Sequence, residues 1–155
     1  MKIELLGAGV GAPEWVSSGF GVYQKRLPPE CRLLLTECAT AKRIKGGRAE
    51  DYRRAEAEQF TRQIKDGAYL IALDKSGTQV ETEALSKRME QWMLEYPQVQ
   101  ILIGGPDGLA QSLLDRADWT LSLSKLTFPH FMVRILIAEQ LYRAWTLLKN
   151  HPYHK

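Results

Sequence analysis

Leu121-Ser122-Leu123-Ser124-Lys125-Leu126-Thr127-Phe128-Pro129-His130 decides the reading of this chain. Apolar and small polar residues alternate as in a strand, but the run ends in Pro129, whose ring cannot continue a sheet ladder. The segment therefore leaves the sheet as an ordered loop and feeds a helix. Its backbone amides and carbonyls are available to a planar ligand such as adenine, with Leu123, Leu126 and Phe128 as apolar walls. Taken in isolation, an edge strand followed by a helix start explains the same residues.

Outward from that loop, strand-like and helical runs alternate. Strands are predicted at Ile3 to Gly7, Arg32 to Cys38, Ala68 to Leu73, Val99 to Ile103 and Trp119 to Leu123. Helices are predicted over Pro13 to Leu27, Arg48 to Lys65, Thr82 to Tyr96, a short stretch after Gly108, and His130 to about Lys149. The third strand ends at Asp74-Lys75-Ser76-Gly77, and the second helix carries Tyr52, Ala55, Phe60 and Ile64 near one side. This alternation predicts an α/β fold with a mainly parallel sheet covered by helices on both faces. In such sheets ligands collect beyond the carboxyl ends of the strands. The 155 residues are read as one domain, 1–155.

The last predicted helix is unusually apolar. At 100° per residue Ile137, Ala138, Leu141 and Trp145 share one side with Arg134, and Met132, Ile135, Leu136 and Tyr142 widen the surface. Glu139, Arg143 and Thr146 fall on the opposite, polar side. So apolar a helix is enclosed or forms half of a subunit interface, and an arginine inside the stripe needs an acid, a carbonyl or a route to water. A dimer interface or a cofactor-side contact is the preferred explanation for Arg134.

The charge balance is local. The net charge is +3, yet Lys42, Arg43, Lys45, Arg48, Arg53 and Arg54 face only Glu50 and Asp51 within one short segment. This segment is the candidate contact for nucleic-acid phosphates, although clustered charges also occur on solvated faces. Cys31 and Cys38 match no zinc or redox spacing and are read as reduced residues. Lys2 and Glu4 interrupt the early apolar run, and no stretch resembles a membrane span. These features predict a soluble, cytoplasmic protein with no metal.

Two glycine turns compete for the ligand. Gly7-Ala8-Gly9-Val10-Gly11-Ala12 fits a dinucleotide fingerprint, with Glu37 placed as the ribose acid, and would make the chain an oxidoreductase. A simple tight turn explains it equally and is preferred. Ile101-Leu102-Ile103 runs into Gly104-Gly105-Pro106-Asp107-Gly108. There the missing side chains at Gly104 and Gly105 would let a ligand lie on the backbone, and Pro-Asp-Gly is also ordinary turn chemistry.

Together, the Gly-Gly-Pro-Asp-Gly turn, the Leu-Ser-x-Leu-Thr-x-Pro-His loop and the helix Val133-Arg134 to Tyr142-Arg143-Ala144 resemble the C-terminal half of SPOUT methyltransferases. The ending Asn150-His151-Pro152-Tyr153-His154, with Pro13-Glu14-Trp15 and Lys42-Arg43, resembles the RlmH family over essentially the whole chain. The resemblance implies a trefoil-knotted domain, a homodimer and S-adenosylmethionine as cofactor. It implies methylation of N3 of a pseudouridine in large-subunit ribosomal RNA, on the assembled ribosome. It implies a cofactor site at Leu73, Gly104, Gly105 and the loop Leu123, Ser124, Lys125, Leu126, Thr127 and Phe128. It further implies catalytic roles for Arg143, Tyr153 and His154, with His154 as base or proton relay. A non-catalytic ribosome- or RNA-binding protein of the same fold is the other alternative.

Overall fold

The computed structural model describes residues 1–155. Five strands, β1 (Lys2–Ala8), β2 (Arg32–Cys38), β3 (Tyr69–Thr78), β4 (Gln98–Ile103) and β5 (Trp119–Leu121), form one sheet in the order β2-β1-β4-β3-β5. Every pairing is parallel. The helices are α1 (Glu14–Arg26), α2 (Ala49–Gln63), α3 (Thr82–Glu95), α4 (Gln111–Arg116) and α5 (His130–Leu148). The predicted α/β fold is therefore observed, with α1, α2, α3 and α5 slightly shorter and β1, β3 and β4 longer than expected. β5 stops at Leu121, because Ser122 onward turns away.

Strand period places alternate residues on opposite faces. Ile3, Leu5, Ile71, Val99, Ile101 and Ile103 pack under α1, α3 and α5, in a cluster with Phe20, Met89, Trp92, Ile137 and Leu141. Leu6, Ala8, Leu70, Ala72 and Leu102 pack the other way, against Ala57 and Phe60 of α2 and Leu113 of α4. Both faces are covered, which is why the strands read as nearly continuous apolar runs.

Four expectations about the fold are corrected. The third strand does not end at Asp74-Lys75-Ser76-Gly77. It continues to Thr78, with an irregularity in its pairing to β5 between Leu73 and Thr78. Gly77 passes so close to β5 that a Cβ there would lie 2.6 Å from the Leu121 carbonyl carbon. On α2 the buried side is Glu56, Ala57 and Phe60, while Ala55 is exposed. On α5, Thr146 is not on a solvated face. It is fully buried, and its hydroxyl donates to the Arg143 carbonyl at 2.7 Å, which satisfies the only polar group it brings inside.

Arg134 is the largest correction. Its side chain has no exposed surface in the single chain, so no second subunit is needed to bury it. Nη1 donates to Glu37 at 2.8 Å, and Nη2 donates to the carbonyls of Ala8 and Gly9 at 3.1 and 2.7 Å. The acid and the carbonyls that a buried guanidinium requires both come from its own chain.

Candidate active site

A cleft of about 890 Å³ opens beside Leu73, where β3 stops pairing with β4, and beyond Ile103 and Leu121, the last residues of β4 and β5. That volume suits a nucleoside-sized ligand. The Gly104–Gly108 turn forms one wall, residues 121–124 and 126–129 another, and His130 and Val133 at the start of α5 close the third. Of the cofactor residues expected from sequence, Leu73, Gly104, Gly105, Leu123, Ser124, Leu126, Thr127 and Phe128 line the cleft. Lys125 lies in the same loop, exposed, but does not line it.

The glycines have a structural reason different from the expected one. A Cβ on Gly104 would lie 2.7 Å from the Gly108 carbonyl carbon, so the turn's own backbone occupies that space. At Gly105 it would lie 3.1 Å from Oε1 of Glu56, a buried carboxyl packed behind the turn. Neither Glu56 oxygen has a hydrogen-bond partner, and burial pushes its pKa up.

Residues 123–128 exchange no backbone–backbone hydrogen bonds. The loop is braced by side chains instead: the Ser122 hydroxyl donates to the Ser124 carbonyl at 3.1 Å, and the Leu126 amide donates to the Ser124 hydroxyl at 3.0 Å. Unpaired backbone amides and carbonyls beside Leu73, Leu123 and Phe128 are the donor set an adenine needs. S-adenosylmethionine fits this chemistry.

The structure does not bring the tail candidates to this cleft. His130 begins α5 at the cleft, whereas Arg143 and the tail lie near its other end. The helix has 19 residues, about 28 Å at 1.5 Å per residue. The tail is folded, with Asn150 in the left-handed region (φ 52°), the His151 amide donating to the Thr146 carbonyl at 2.9 Å, and a short 3₁₀ turn at Pro152–His154. Glu139 organises the cluster, accepting from Arg143 Nη2 at 2.6 Å and Nε at 2.8 Å and from the Tyr153 hydroxyl at 3.2 Å. Tyr153 packs on Tyr142, with the Arg26 and Arg143 guanidinium carbons 5.9 and 5.0 Å from its ring centre. Desolvation, then hydrogen bonding to Tyr23 and the charge of Glu139, push the Tyr153 phenol well above its ordinary pKa. Nδ1 of His154 is buried without a partner.

Sequence reasoning missed Arg26 in this cluster, and Asp74, Glu50 and His130 in the cleft. Arg26 reaches Tyr153 only through the packing of α1 on α5, and no local spacing announces that. His130 stood in the loop motif, but nothing local showed that it lines the cleft.

The dinucleotide reading is overturned. A Cβ on Gly7 would lie 2.9 Å from Nε of Arg134, so the space above the first strand is filled by this chain's own guanidinium. Carbonyls of Ala8 and Gly9 point there, the wrong polarity for a pyrophosphate. Glu37 is held by Arg134, which lowers its pKa first by hydrogen bonding.

The basic segment is partly committed. Arg43 pairs with Asp107 and lies over Tyr52, with its guanidinium carbon 4.2 Å from the ring centre, and Arg53 donates to the Asp107 carbonyl at 3.3 Å. Arg48 and Arg54 face Asp51 and Glu50, leaving Lys42 and Lys45 without an ion-pair partner.

The chain belongs to the SPOUT methyltransferase family, whose description, "Predicted SPOUT methyltransferase", matches residues 1–154. Its curated relatives point to one branch. It is 43% identical to the ribosomal RNA large subunit methyltransferase H of Hydrogenovibrio crunogenus, covering 100% of this chain and 99% of that protein. It is 46% identical to the protein of the same name from Francisella philomiragia, covering 100% of both. Among solved structures, a probable methylase family protein from Haemophilus influenzae superposes with TM-score 0.55 at 14% identity, over 99% of this chain and 70% of that one. A putative methyltransferase from Legionella pneumophila, solved with bound SAM, gives 0.51 at 13% identity over 94% and 66%. These two support the fold.

Proposed function

We propose that this protein uses S-adenosylmethionine to methylate N3 of a pseudouridine in large-subunit ribosomal RNA, in the cytoplasm and on the assembled ribosome. The observation that carries the reading is the cleft: open backbone groups of residues 123–128 and apolar walls beyond a parallel sheet, in a chain that matches its relatives end to end. The bound cofactor supplies a methyl group on a sulfonium, a carbon already activated for attack. Leu73, Gly104, Gly105, Leu123, Ser124, Leu126, Thr127 and Phe128 hold and orient it and exclude water from it. Lys42, Lys45 and the rim arginines Arg53 and Arg54 hold phosphates, and the ribosomal surface supplies the remaining contacts.

The working unit is a homodimer with composite sites. One α5 length separates a subunit's cleft from its own tail, so the tail of one subunit serves the cleft of the other. Trp15 and Val22 on α1 and Met132 on α5 are exposed apolar residues suited to that interface. Arg143 and Tyr153, fixed by Glu139, orient the target base, with His154 beside it. The chain forms a trefoil where residues 122–129 cross the connection from β3 to α3. The support is close passage there: the Ser122 amide donates to the Thr78 carbonyl at 3.0 Å, and Gly77 leaves no room for a Cβ.

Ribosomes lacking the modification, incubated with the protein and methyl-labelled S-adenosylmethionine, should take up one methyl in large-subunit RNA. Absence of transfer, together with no thermal stabilisation by the cofactor, would end the methyltransferase reading. Stabilisation without transfer would favour an RNA-binding protein that kept the fold.

A further inference from the structure

The reaction requires N3 of the base to lose a proton, and the cleft contains few groups free to take it. Three carboxylates line it, and each is engaged. Asp74 accepts from the Ser76 amide and hydroxyl, Asp107 is paired with Arg43, and Glu50 faces Arg54. The remaining titratable lining groups are Arg53, Arg54, Lys75 and His130, and of these only an imidazole is an unprotonated base near neutrality. His151 and His154 come to the cleft only with the partner subunit's tail, and Nδ1 of His154 is buried within that tail.

His130 is held in place without being used. Its ring packs on Phe131 with centroids 4.3 Å apart, and Nε2 would lie 3.4 Å from a Cβ on Gly9. It makes no side-chain hydrogen bond within the protein, and it is half-buried at the cleft wall. From the free base position of this side chain we infer that His130 is the catalytic residue that accepts the N3 proton, acting from the subunit whose cleft holds the cofactor. The inference rests on the methyltransferase reading above and replaces His154 in that one role.

The step balances. The N3–H bond breaks towards an imidazole nitrogen, the N3 electron pair forms the bond to the methyl carbon, and the methyl–sulfur bond breaks with its pair left on a neutral thioether. Positive charge thus passes from sulfonium to imidazolium, and the cleft's net charge is unchanged. Burial, and then the neighbouring Arg134, lower the His130 pKa, which favours the neutral ring that a base requires. The charged groups around it are Arg134 on its own helix, with Glu37 of β2 paired to that arginine. Across the cleft stand Asp74, Lys75, Glu50, Arg53, Arg54 and Asp107, the last paired with Arg43.

Two measurements test the assignment. In the first, the His130 ring is titrated by NMR in the full-length protein, free and with S-adenosylmethionine or S-adenosylhomocysteine. A sulfonium close to the ring should lower the midpoint by about half a unit or more relative to the neutral thioether. Equal midpoints with both ligands bound would place the ring away from the reacting atoms and overturn the assignment. In the second, His130→Asn and His154→Ala are compared on unmodified ribosomes after thermal melts confirm folding. His130→Asn should bind the cofactor within about threefold of the parent, lose about 10²-fold or more in kcat, and lose the acid limb of the pH profile. His154→Ala should keep that limb. A His130→Asn protein with parental kcat, or one raising only KM, would overturn the proposal, as would loss of the limb in His154→Ala alone. If the parent bound neither ligand, the cofactor reading would fall and this assignment with it.

Discussion

Burying a guanidinium costs several kcal/mol unless charge and hydrogen bonds are replaced. Arg134 shows how this chain meets most of the requirement, through Glu37 and the carbonyls of Ala8 and Gly9, with only Nε left unpaired. One side chain thereby ties α5 to the ends of β1 and β2. Arg134→Met leaves those carbonyls and Glu37 unmatched and should cost about 3–5 kcal/mol in chemical denaturation; a loss under about 1 kcal/mol would show the pair to be dispensable. The acid limb follows from the sign of the Glu37 shift. Its folded pKa is lowered, so the unfolded chain binds more protons in acid and folding gains stability as pH rises. That contribution is complete above the unfolded value, 4.5, and disappears as pH falls through the lowered folded value. Glu37→Gln should flatten stability over this range.

At the scale of elements, the contact between β3 and β5 positions the loop of residues 122–128, the proposed cofactor site. The strand pair continues past Leu73 only because Gly77 has no side chain to press on Leu121, and the Ser122 amide then reaches Thr78. Gly77→Ala places a methyl 2.6–2.8 Å from backbone atoms. It should cost about 1–3 kcal/mol and weaken S-adenosylmethionine binding at least tenfold in calorimetry. Gly21→Ala is the matched control: nothing lies within 4 Å of its Cβ, and in the middle of α1 it should stabilise by about 0.5–1 kcal/mol. Undiminished cofactor affinity in Gly77→Ala would separate the loop from the strand contact.

At the scale of the whole molecule, the decisive quantity is the length of α5, about 28 Å. A site sharing cleft and tail residues needs two chains. Mixing a cleft-defective Leu123→Arg protein with a tail-defective Arg143→Ala protein, each inactive alone, should recover about a quarter of parental activity once subunits exchange. Random pairing makes half the dimers mixed, each with one intact site in two. No recovery would mean that each tail serves its own subunit.

Much of this was written locally. The alternation of apolar runs with helical periods specified five parallel strands and their helices, because strand and helix patterns depend on near neighbours. The Ser122–Phe128 loop was legible too, since Pro129 ends its alternation within the same ten residues. Other features depend on chain crossings that no local pattern encodes. Thr146 is buried by neighbouring elements, although its helical angle put it on a polar side. Gly104 is a glycine because Gly108 returns over it. Arg134 sits where β1 and β2 converge, 97 residues from Glu37 in sequence. The sequence alone therefore determined the sheet, its helices and the loop that lines the cleft. Tertiary structure decided that Arg134 locks the fold from within, that the tail stands a helix length from its own cleft, and that His130 lines that cleft. Charge pairing, reach and orientation are properties of distance in space.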